Sequence, residues 1–425
     1  MKILSKVFLL ALLIVGFVAC DDGETDPAKG SFTVTIENVL TPKNYLASGE
    51  IAGLTAPGEE KTFTFNAGKG MYLSFSTMFV QSNDLFYGFA DTGLALYDSN
   101  GDPVTGDVTA EVDLWDAGTE VNEMPGTGMN QPPRQSGSNV GTDENGTIQV
   151  VNDAFTYPAN ADVIQVTLAH NGGTEFTATI KNISGSSSLS TPFAPGVWAI
   201  HPSGVKMFTD GTTASAGLEA LAEDGSNTTM LEGITNNTGY ASPFAPGVWA
   251  VHDQGATPIF AANEADRGAG LEALAEDGDP ATLATALEAL TGVTKSGVFN
   301  TPDGATAAGP LMPANTYSFT FDAEEGDYLN LATMLVHTND LFYAFKGTGI
   351  TLFENGTAIS GDVTAQLELW DAGTEINEYP GAGNYQPARG GAASGPAESG
   401  VVKIVDDSFV YPANTDAIKV TISVQ

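Results

Sequence analysis

The chain has 425 residues, of which 42% are hydrophobic and only 16% are charged, so a highly charged disordered chain is excluded. Its length exceeds what one ordinary core supports and predicts two or three domains. Because the formal net charge of −37 repels phosphate backbones, we expect no nucleic-acid partner and favour metal cations or basic partners instead.

Residues 1–20 have the pattern of a targeting segment. Lys2 and Lys6 precede an apolar run that is too short to cross a bilayer as a mature helix. The run ends at Cys20, the only cysteine of the chain. With the small residue Ala19 before it, this end resembles a bacterial lipobox, in which the thiol takes a lipid anchor after cleavage. We therefore predict a lipoprotein signal peptide with lipidation at Cys20; the alternative is a plain secretory signal with an incidental cysteine.

Residues 21–30 begin with a run of acidic side chains and predict a flexible tether. The run resembles the acidic export tags that send lipoproteins of some Gram-negative bacteria to the cell surface. The predicted location is therefore outside the cell, with a lipid on Cys20 holding the chain to the outer membrane. Because the only thiol is used in this way, no cysteine is left for a disulfide or for catalysis.

Three long motifs occur twice along the chain, in the same order. The pairs are residues 77–87 with 333–343, 115–120 with 370–375, and 131–134 with 386–389. Their separation is too long for a solenoid repeat and indicates two copies of a whole domain. We predict copy 1 at residues 31–172 and copy 2 at residues 173–425.

Within each copy, aromatic or β-branched residues alternate with polar ones in short runs, as at residues 61–65 and 317–321. This period of two predicts strands with one buried face. Glycine, proline, asparagine and aspartate separate the runs and favour turns. The predicted fold class is therefore mainly β, with tandem antiparallel β-sandwiches and short accessory α-helices.

A shorter repeat lies between the long ones and begins with Pro-Phe-Ala-Pro-Gly-Val-Trp-Ala, at residues 192–199 and 243–250. After its first copy, Leu218, Leu221 and Ala222 are spaced as on one face of an amphipathic helix, and a glycine ends the pattern. The same helical pattern follows the second copy. We predict a short helix after each copy of the repeat.

The two segments that contain this repeat, residues 191–235 and 242–292, are both assigned to copy 2. Copy 1 has no such segment of its own, so residues 191–235 could instead pack on copy 1 and tie the two copies together. The helices show no constellation of metal-ligand or catalytic residues, and we interpret them as packing elements.

Pairs of acids next to short loops predict a metal site. Calcium in proteins takes about six to eight hard oxygens, several of them from carboxylates gathered by loops at one end of a scaffold. Asp116 and Glu120 flank Ala-Gly-Thr, a loop small enough to direct both carboxylates to one point, and Asp84 follows a predicted strand. The acids at the matching positions of the second copy are Asp340, Asp371 and Glu375. The alternative is that these acids cap turns by accepting backbone N–H hydrogen bonds.

Several motifs resemble the spondin domain, the amino-terminal module of the extracellular-matrix protein F-spondin: Met-x-x-x-x-Asn-Asp, Trp-Asp-Ala-Gly-Thr-Glu, Gln-Pro-x-Arg, Pro-Gly-Val-Trp-Ala-x-His and Leu-Ala-Glu-Asp-Gly. The resemblance covers nearly all of the mature chain. It implies an eight-stranded antiparallel sandwich, similar to calcium-dependent membrane-docking domains, with one bound calcium in each copy. The ligands it implies are Asp84, Asp116 and Glu120 in copy 1 and Asp340, Asp371 and Glu375 in copy 2.

The sequence lacks common enzyme motifs. The four histidines show no paired metal spacing, and neither a Gly-x-Ser-x-Gly nucleophile motif nor a phosphate-binding glycine loop occurs. We therefore predict a non-enzymatic, calcium-binding surface lipoprotein that acts in adhesion or in binding an extracellular protein or glycan. The alternatives are a glycan-active hydrolase that uses two of the many carboxylates, and a purely structural envelope protein.

Overall fold

The computed structural model describes residues 27–390 and 395–425. The predicted signal peptide with its lipidation site Cys20, and most of the predicted tether, lie outside the described residues. Residues 27–30 of the tether are described, and Lys29 already begins a β-strand. Across the described chain, none of the helices is both long and apolar enough to cross a membrane.

The fold is mainly β, as the alternating pattern predicts, with 36% of the residues in strands and 13% in helices. The strands of the first half are β1 (Lys29–Asn38), β2 (Ala47–Ile51), β3 (Glu60–Asn66), β4 (Met71–Met78), β5 (Leu85–Phe89), β6 (Leu94–Ala95), β7 (Gly106–Asp107), β8 (Val112–Asp116), β9 (Gln149–Val150), β10 (Ile164–Gly172), β11 (Glu175–Asn182) and β12 (Gly196–Pro202). Those of the second half are β13 (Gly247–Asp253), β14 (Val293–Phe299), β15 (Thr316–Glu324), β16 (Asp327–Met334), β17 (Leu341–Phe345), β18 (Ile350–Thr351), β19 (Phe353–Glu354), β20 (Thr357–Ala358), β21 (Gly361–Asp362), β22 (Leu367–Asp371), β23 (Lys403–Ile404) and β24 (Ile418–Val424).

The helices are short. They are α1 (Ala216–Asp224), α2 (Thr228–Asn236), α3 (Leu271–Asp277), α4 (Ala281–Glu288), α5 (Pro387–Gly390) and α6 (Asn414–Ala417). Single 3-10 turns occur at Thr109–Glu111, Asn160–Asp162, Ser184–Ser186 and Thr364–Gln366.

Apart from β19 and β20, which pair only with each other, the strands form two β-sandwiches, each built from a four-stranded and a seven-stranded sheet. In module one, which we define as residues 44–240, the strand orders are β3-β11-β10-β7 and β2-β12-β4-β5-β8-β9, with β6 beside β4. In module two, residues 27–40 together with 241–425, they are β15-β1-β24-β21 and β14-β13-β16-β17-β22-β23, with β18 beside β16. The orders match strand for strand, so the molecule contains one sandwich architecture twice.

The two modules follow the chain in different orders. Module two starts with β1, which lies between β15 and β24, so that Phe32 pairs with Phe321 on one side and with Val424 on the other. Its counterpart in module one is β11, which lies between β3 and β10 and comes late in that module. Module one is therefore a circular permutant of module two, inserted between β1 and β13.

Two buried asparagines mark the equivalence of β1 and β11. Asn38, at the end of β1, donates from Nδ2 to the Ser242 carbonyl at 2.9 Å. Asn182, at the end of β11, donates in the same way to the Thr191 carbonyl at 2.8 Å. Each amide ties its strand to the segment that precedes β12 or β13. In module two this contact also joins the two ends of the insertion.

The structure divides the chain differently from the predicted copies at 31–172 and 173–425. β1 belongs to module two, and β11 belongs to module one, where it pairs with β3 and β10. The sequence does not distinguish these strands, because the alternating runs that begin at Phe32 and Phe176 fit either sheet equally well. The segment 191–235 packs on module one, where β12 pairs with β2 and β4.

The predicted amphipathic helices cover the outer faces of the seven-stranded sheets. In α1, Leu218, Leu221 and Ala222 are buried in one cluster with Phe86 of β5 and Trp115 of β8. In module two, α3 and α4 pack in the same way on the counterparts of these strands. This packing brings the end of α1 towards the loop that follows β8, and the end of α3 towards the loop that follows β22.

Candidate metal centre

Predicted aspartates come together because their strands are neighbours. Asp84 directly precedes β5 and Asp116 ends β8, and the pairing of Leu85 with Asp116 places both acids at the same end of the sheet. In module two, Asp340 and Asp371 have the same positions beside β17 and β22. All four aspartates are at most 3% exposed. The antiparallel pairing therefore produces two buried carboxylate pairs.

One oxygen of Asp84 is held by the loop after β8, whereas the other has no donor. Oδ2 accepts hydrogen bonds from the Thr119 N–H at 2.7 Å, the Thr119 hydroxyl at 3.1 Å and the Glu120 N–H at 3.0 Å. Oδ1 is buried without a hydrogen-bond partner in the described chain. Asp340 repeats both features in module two. Because a buried carboxylate oxygen without a donor is costly, Oδ1 is well suited to bind a cation.

Asp116 and Glu144 complete a group of three carboxylates in module one. Asp116 accepts from the Gly118 N–H at 2.7 Å and from Asn122 Nδ2 at 2.8 Å, which fixes its orientation. One oxygen from each of Asp84, Asp116 and Glu144 lies within 4.8 Å of the others, a spacing that one metal ion can bridge. Glu144 is exposed and is not among the ligands that the sequence predicts.

The third predicted ligand, Glu120, lies outside this group. Its carboxylate is buried and accepts from the Gly141 N–H at 2.7 Å and from Asn83 Nδ2 at 3.3 Å. In module two, Glu375 accepts in the same way from the Gly395 N–H at 2.7 Å. These contacts give both glutamates a role in closing the long loop beside the centre.

The second centre has the same aspartate pair but a looser third carboxylate. Glu398 corresponds to Glu144 in its backbone contact. The Glu398 N–H donates to the Thr374 carbonyl at 2.7 Å, and the Glu144 N–H donates to the Thr119 carbonyl at 2.9 Å. The negative charge of Glu398 adds to burial in raising the pKa of Asp371. Among the described residues, however, a group of three converging carboxylates forms only in module one.

Burial raises the pKa values of the paired aspartates well above their ordinary range. It raises the pKa of Asp84 to about 6. Burial, followed by the charge of Asp84, raises the pKa of Asp116 to about 7. Burial, followed by the charge of Asp371, raises the pKa of Asp340 to about 7. Two such carboxylates resist being charged together, and a divalent cation would remove that penalty.

Two buried glutamates near the centres were not predicted from the sequence. Glu223, at the end of α1, is 3% exposed, and burial raises its pKa to about 7, with the Thr119 hydroxyl acting in the opposite direction. Glu276, at the end of α3, is 6% exposed and has the same relation to Thr374. The available signal is the unchanged Ala-Glu-Asp-Gly at the C-terminal end of both helices, which the sequence analysis interprets as packing alone.

Neither the models of known protein families nor the curated proteins with which the chain was compared give a match. The relation to spondin domains therefore stays a prediction from the motifs.

Proposed function

We propose that the protein is an exported, lipid-anchored surface protein whose two spondin-like modules bind calcium and present a surface for adhesion or ligand binding. The observation that carries calcium binding is the buried, unpartnered oxygen of Asp84 and of Asp340, each beside a second buried aspartate. Its repetition in two modules with different chain orders makes a shared chemical cause the simplest explanation.

The donor set favours calcium over softer metals. The converging group consists of Asp84, Asp116 and Glu144, all of which offer carboxylate oxygens, whereas zinc and copper favour nitrogen and sulfur ligands. Calcium accepts irregular sets of about six to eight oxygens, including backbone carbonyls and water, while magnesium demands near-octahedral geometry. In this proposal Glu120 holds the loop and Glu144 is the third carboxylate ligand.

The loops beside the first centre carry exposed apolar side chains. Val121 is 46% exposed, Met124 is 57% exposed and Met129 is 69% exposed, and all three lie between β8 and β9. Apolar side chains grouped on a surface are a feature of interaction sites. A cation held by Asp84 and Asp116 would order the start of this segment and so present it to an extracellular protein or glycan.

Calorimetric titration of chelator-treated protein tests calcium binding. We expect two sites in the unchanged protein, one in Asp84→Asn, one in Asp340→Asn and none in the double variant. Asp102→Asn, which changes an exposed aspartate in a turn, is the matched control and should keep both sites. No heat of binding, together with no thermal stabilisation by calcium, would contradict the proposal.

The surface-binding part has its own test. Arrays of glycans and matrix proteins should capture the calcium-loaded protein and release it when a chelator is added. Met124→Asp with Met129→Asp should abolish capture without changing calcium affinity, because both side chains are exposed and neither lies among the carboxylates. Capture that is equal with and without chelator would contradict the role of the metal.

The lipid anchor rests on the N-terminal sequence alone. Cys20→Ser should move the protein from the membrane fraction to the soluble fraction and abolish incorporation of labelled fatty acid. Unchanged membrane association together with unchanged labelling would overturn this part of the proposal.

A further inference from the structure

The junction between the two modules contains a cavity of about 90 Å³. The chain passes between the modules twice, near residue 43 and near residues 240–241, and both connections contribute to the cavity wall together with the loop after β22. The wall includes Lys43, Tyr240, His337 and Arg389. The chain has only 15 lysines and arginines against 52 acidic residues, yet the described residues that line this cavity include two of these cations and no carboxylate. It is therefore a basic site in a strongly acidic molecule.

Arg389 and its counterpart Arg134 have the same place in Gln-Pro-x-Arg but different contacts. Arg134 folds back on its own loop: Nε donates to the Gly128 carbonyl at 2.7 Å and Nη2 donates to Gln131 Oε1 at 3.1 Å. Among the described residues of module two the second of these bonds is absent, and Gln386 Oε1 is buried without a donor. Arg389 instead lines the junction cavity, and its charge acts on His337 in the same wall.

The charge of Arg389 is poorly compensated within the protein. Its Nη1 is buried and has no hydrogen-bond partner in the described chain, and burial lowers its pKa. Glu378 is the carboxylate whose charge acts on it, but that carboxylate accepts from the Asn384 N–H at 3.1 Å and the Tyr385 N–H at 2.9 Å. Because a buried donor of a charged group without a partner is costly, an anionic ligand that reaches Nη1 would stabilise this partly buried side chain.

We propose that the junction cavity binds a small oxyanion, either a carboxylate or a tetrahedral group such as sulfate or phosphate, through the Arg389 guanidinium. A guanidinium presents a planar fork of donors that matches two oxygens of such a group. Pockets for drug-sized ligands are about 300 Å³ or larger, so this cavity of about 90 Å³ suits a small anion with water better than a ligand of that size.

The remaining wall is consistent with this ligand. His337 Nδ1 is hydrogen-bonded to the Ala241 carbonyl at 2.7 Å, and burial, followed by the charge of Arg389, lowers the pKa of His337 to about 4. The ring is therefore neutral near pH 7, and the positive charge comes from Arg389 and Lys43. Because Arg389 belongs to module two and Lys43 to the crossing into module one, a bound anion would also hold the junction together.

This site goes beyond calcium binding and uses none of the proposed calcium ligands. The test is a titration of the full mature chain with sulfate and, separately, with acetate, at an ionic strength held constant with sodium chloride. We expect saturable binding of at least one probe, and its affinity should be the same with calcium and with chelator. The probe that saturates the site at the lower concentration, sulfate or acetate, shows whether the site prefers a tetrahedral anion or a carboxylate.

The variants compare the two arginines directly. Arg389→Met should weaken binding about tenfold or more, since it removes a charge-assisted, two-pronged contact, whereas Arg134→Met should stay within about twofold. Arg389→Lys and Lys43→Met should each weaken binding by about threefold. If Arg389→Met does not fold, these two milder variants test whether the cavity cations bind the anion. Absence of saturable binding, or equal affinities for all four variants, would overturn the proposal.

Discussion

Module one and module two have the same sheets but are cut from the chain at different places. In module one a hairpin joins β10 to β11, whereas the corresponding strands of module two, β24 and β1, are the last and the first strands among the described residues. Both arrangements give the same strand neighbours. The comparison shows that this sandwich depends on which strands can pair rather than on the order in which the chain reaches them.

The modules also use equivalent loops differently. The loop after β22 contacts module one: Asn384 accepts from the Lys69 N–H at 2.8 Å and donates to the Tyr97 hydroxyl at 3.0 Å. The matching loop of module one exposes Met124 and Met129 instead. The same structural element thus forms an internal interface in one module and an open surface in the other.

The largest expected effect comes from the two equivalent strands. Phe32 and Phe176 are fully buried, and their replacement by alanine should lower the free energy of unfolding by about 3–5 kcal/mol. Hydrogen exchange followed by mass spectrometry should locate the loss in module two for Phe32→Ala and in module one for Phe176→Ala. If Phe32→Ala increased hydrogen exchange first in the strands of module one, β2 through β12, the assignment of β1 to module two would be wrong.

A smaller effect should follow from pH in the metal-free protein. Folding raises the pKa of Asp84 to about 6 and those of Asp116 and Asp340 to about 7. Protons on these carboxyls stabilise the native state below their unfolded pKa near 3.8, and this stabilisation is lost as the pH rises through 6 to 7. The melting temperature of chelator-treated protein should therefore fall between pH 5 and pH 8.

Calcium is the control for this pH series. Saturating calcium should remove most of the fall, because the ion replaces the protons between the carboxylates. Two double variants should remove the contribution of one module at a time to the fall in melting temperature. They are Asp84→Asn with Asp116→Asn for module one, and Asp340→Asn with Asp371→Asn for module two. If the melting temperature still fell with rising pH in saturating calcium, groups other than the paired aspartates would be responsible.

The junction should be sensitive to a single added methyl group at Gly68. A Cβ at Gly68 would collide with the Ala382 carbonyl oxygen of the other module. Gly68→Ala should open the junction at a cost of about 1–3 kcal/mol, typical of overpacking, while each sandwich stays folded. Gly185→Ala, where the nearest atom is 3.7 Å from the added carbon, is the matched control. Increased exchange at residues 68–71 and 380–385 reports the opening, and equal exchange in both variants would contradict it.

The smallest expected difference separates the two metal centres. Glu144→Gln should weaken calcium binding to the first centre about tenfold, the effect of removing one of three converging carboxylates. Glu398→Gln should weaken the second centre by less, because Glu398 is not part of a converging group. Calorimetry on each variant, combined with Asn replacement at the other centre, measures the two affinities separately. Equal losses would show that the centres have the same ligand set.

Part of the candidate site could be predicted from the sequence because its residues are close to strand ends. Asp84 and Asp116 were recognisable from the repeated motifs, and antiparallel pairing brings them together without further adjustment. Glu144 was not recognisable, because it lies in a long loop rich in glycine and asparagine whose path has no periodicity. The orientation of Glu120 towards Gly141, away from the aspartates, depends on that same path.

The sequence by itself determined the mainly β class, the duplication, the short helices and the aspartate at each matching strand end, since alternation, repetition and motif spacing are properties of short stretches of chain. Only the tertiary structure decided which sheet takes β1, that Glu144 joins Asp84, and that Arg389 turns to the junction while Arg134 does not. The physical reason is that each of these outcomes is a competition between partners far apart in the chain. Runs such as those at Phe32 and Phe176 are locally equivalent, so only the energy of the packed whole distinguishes them.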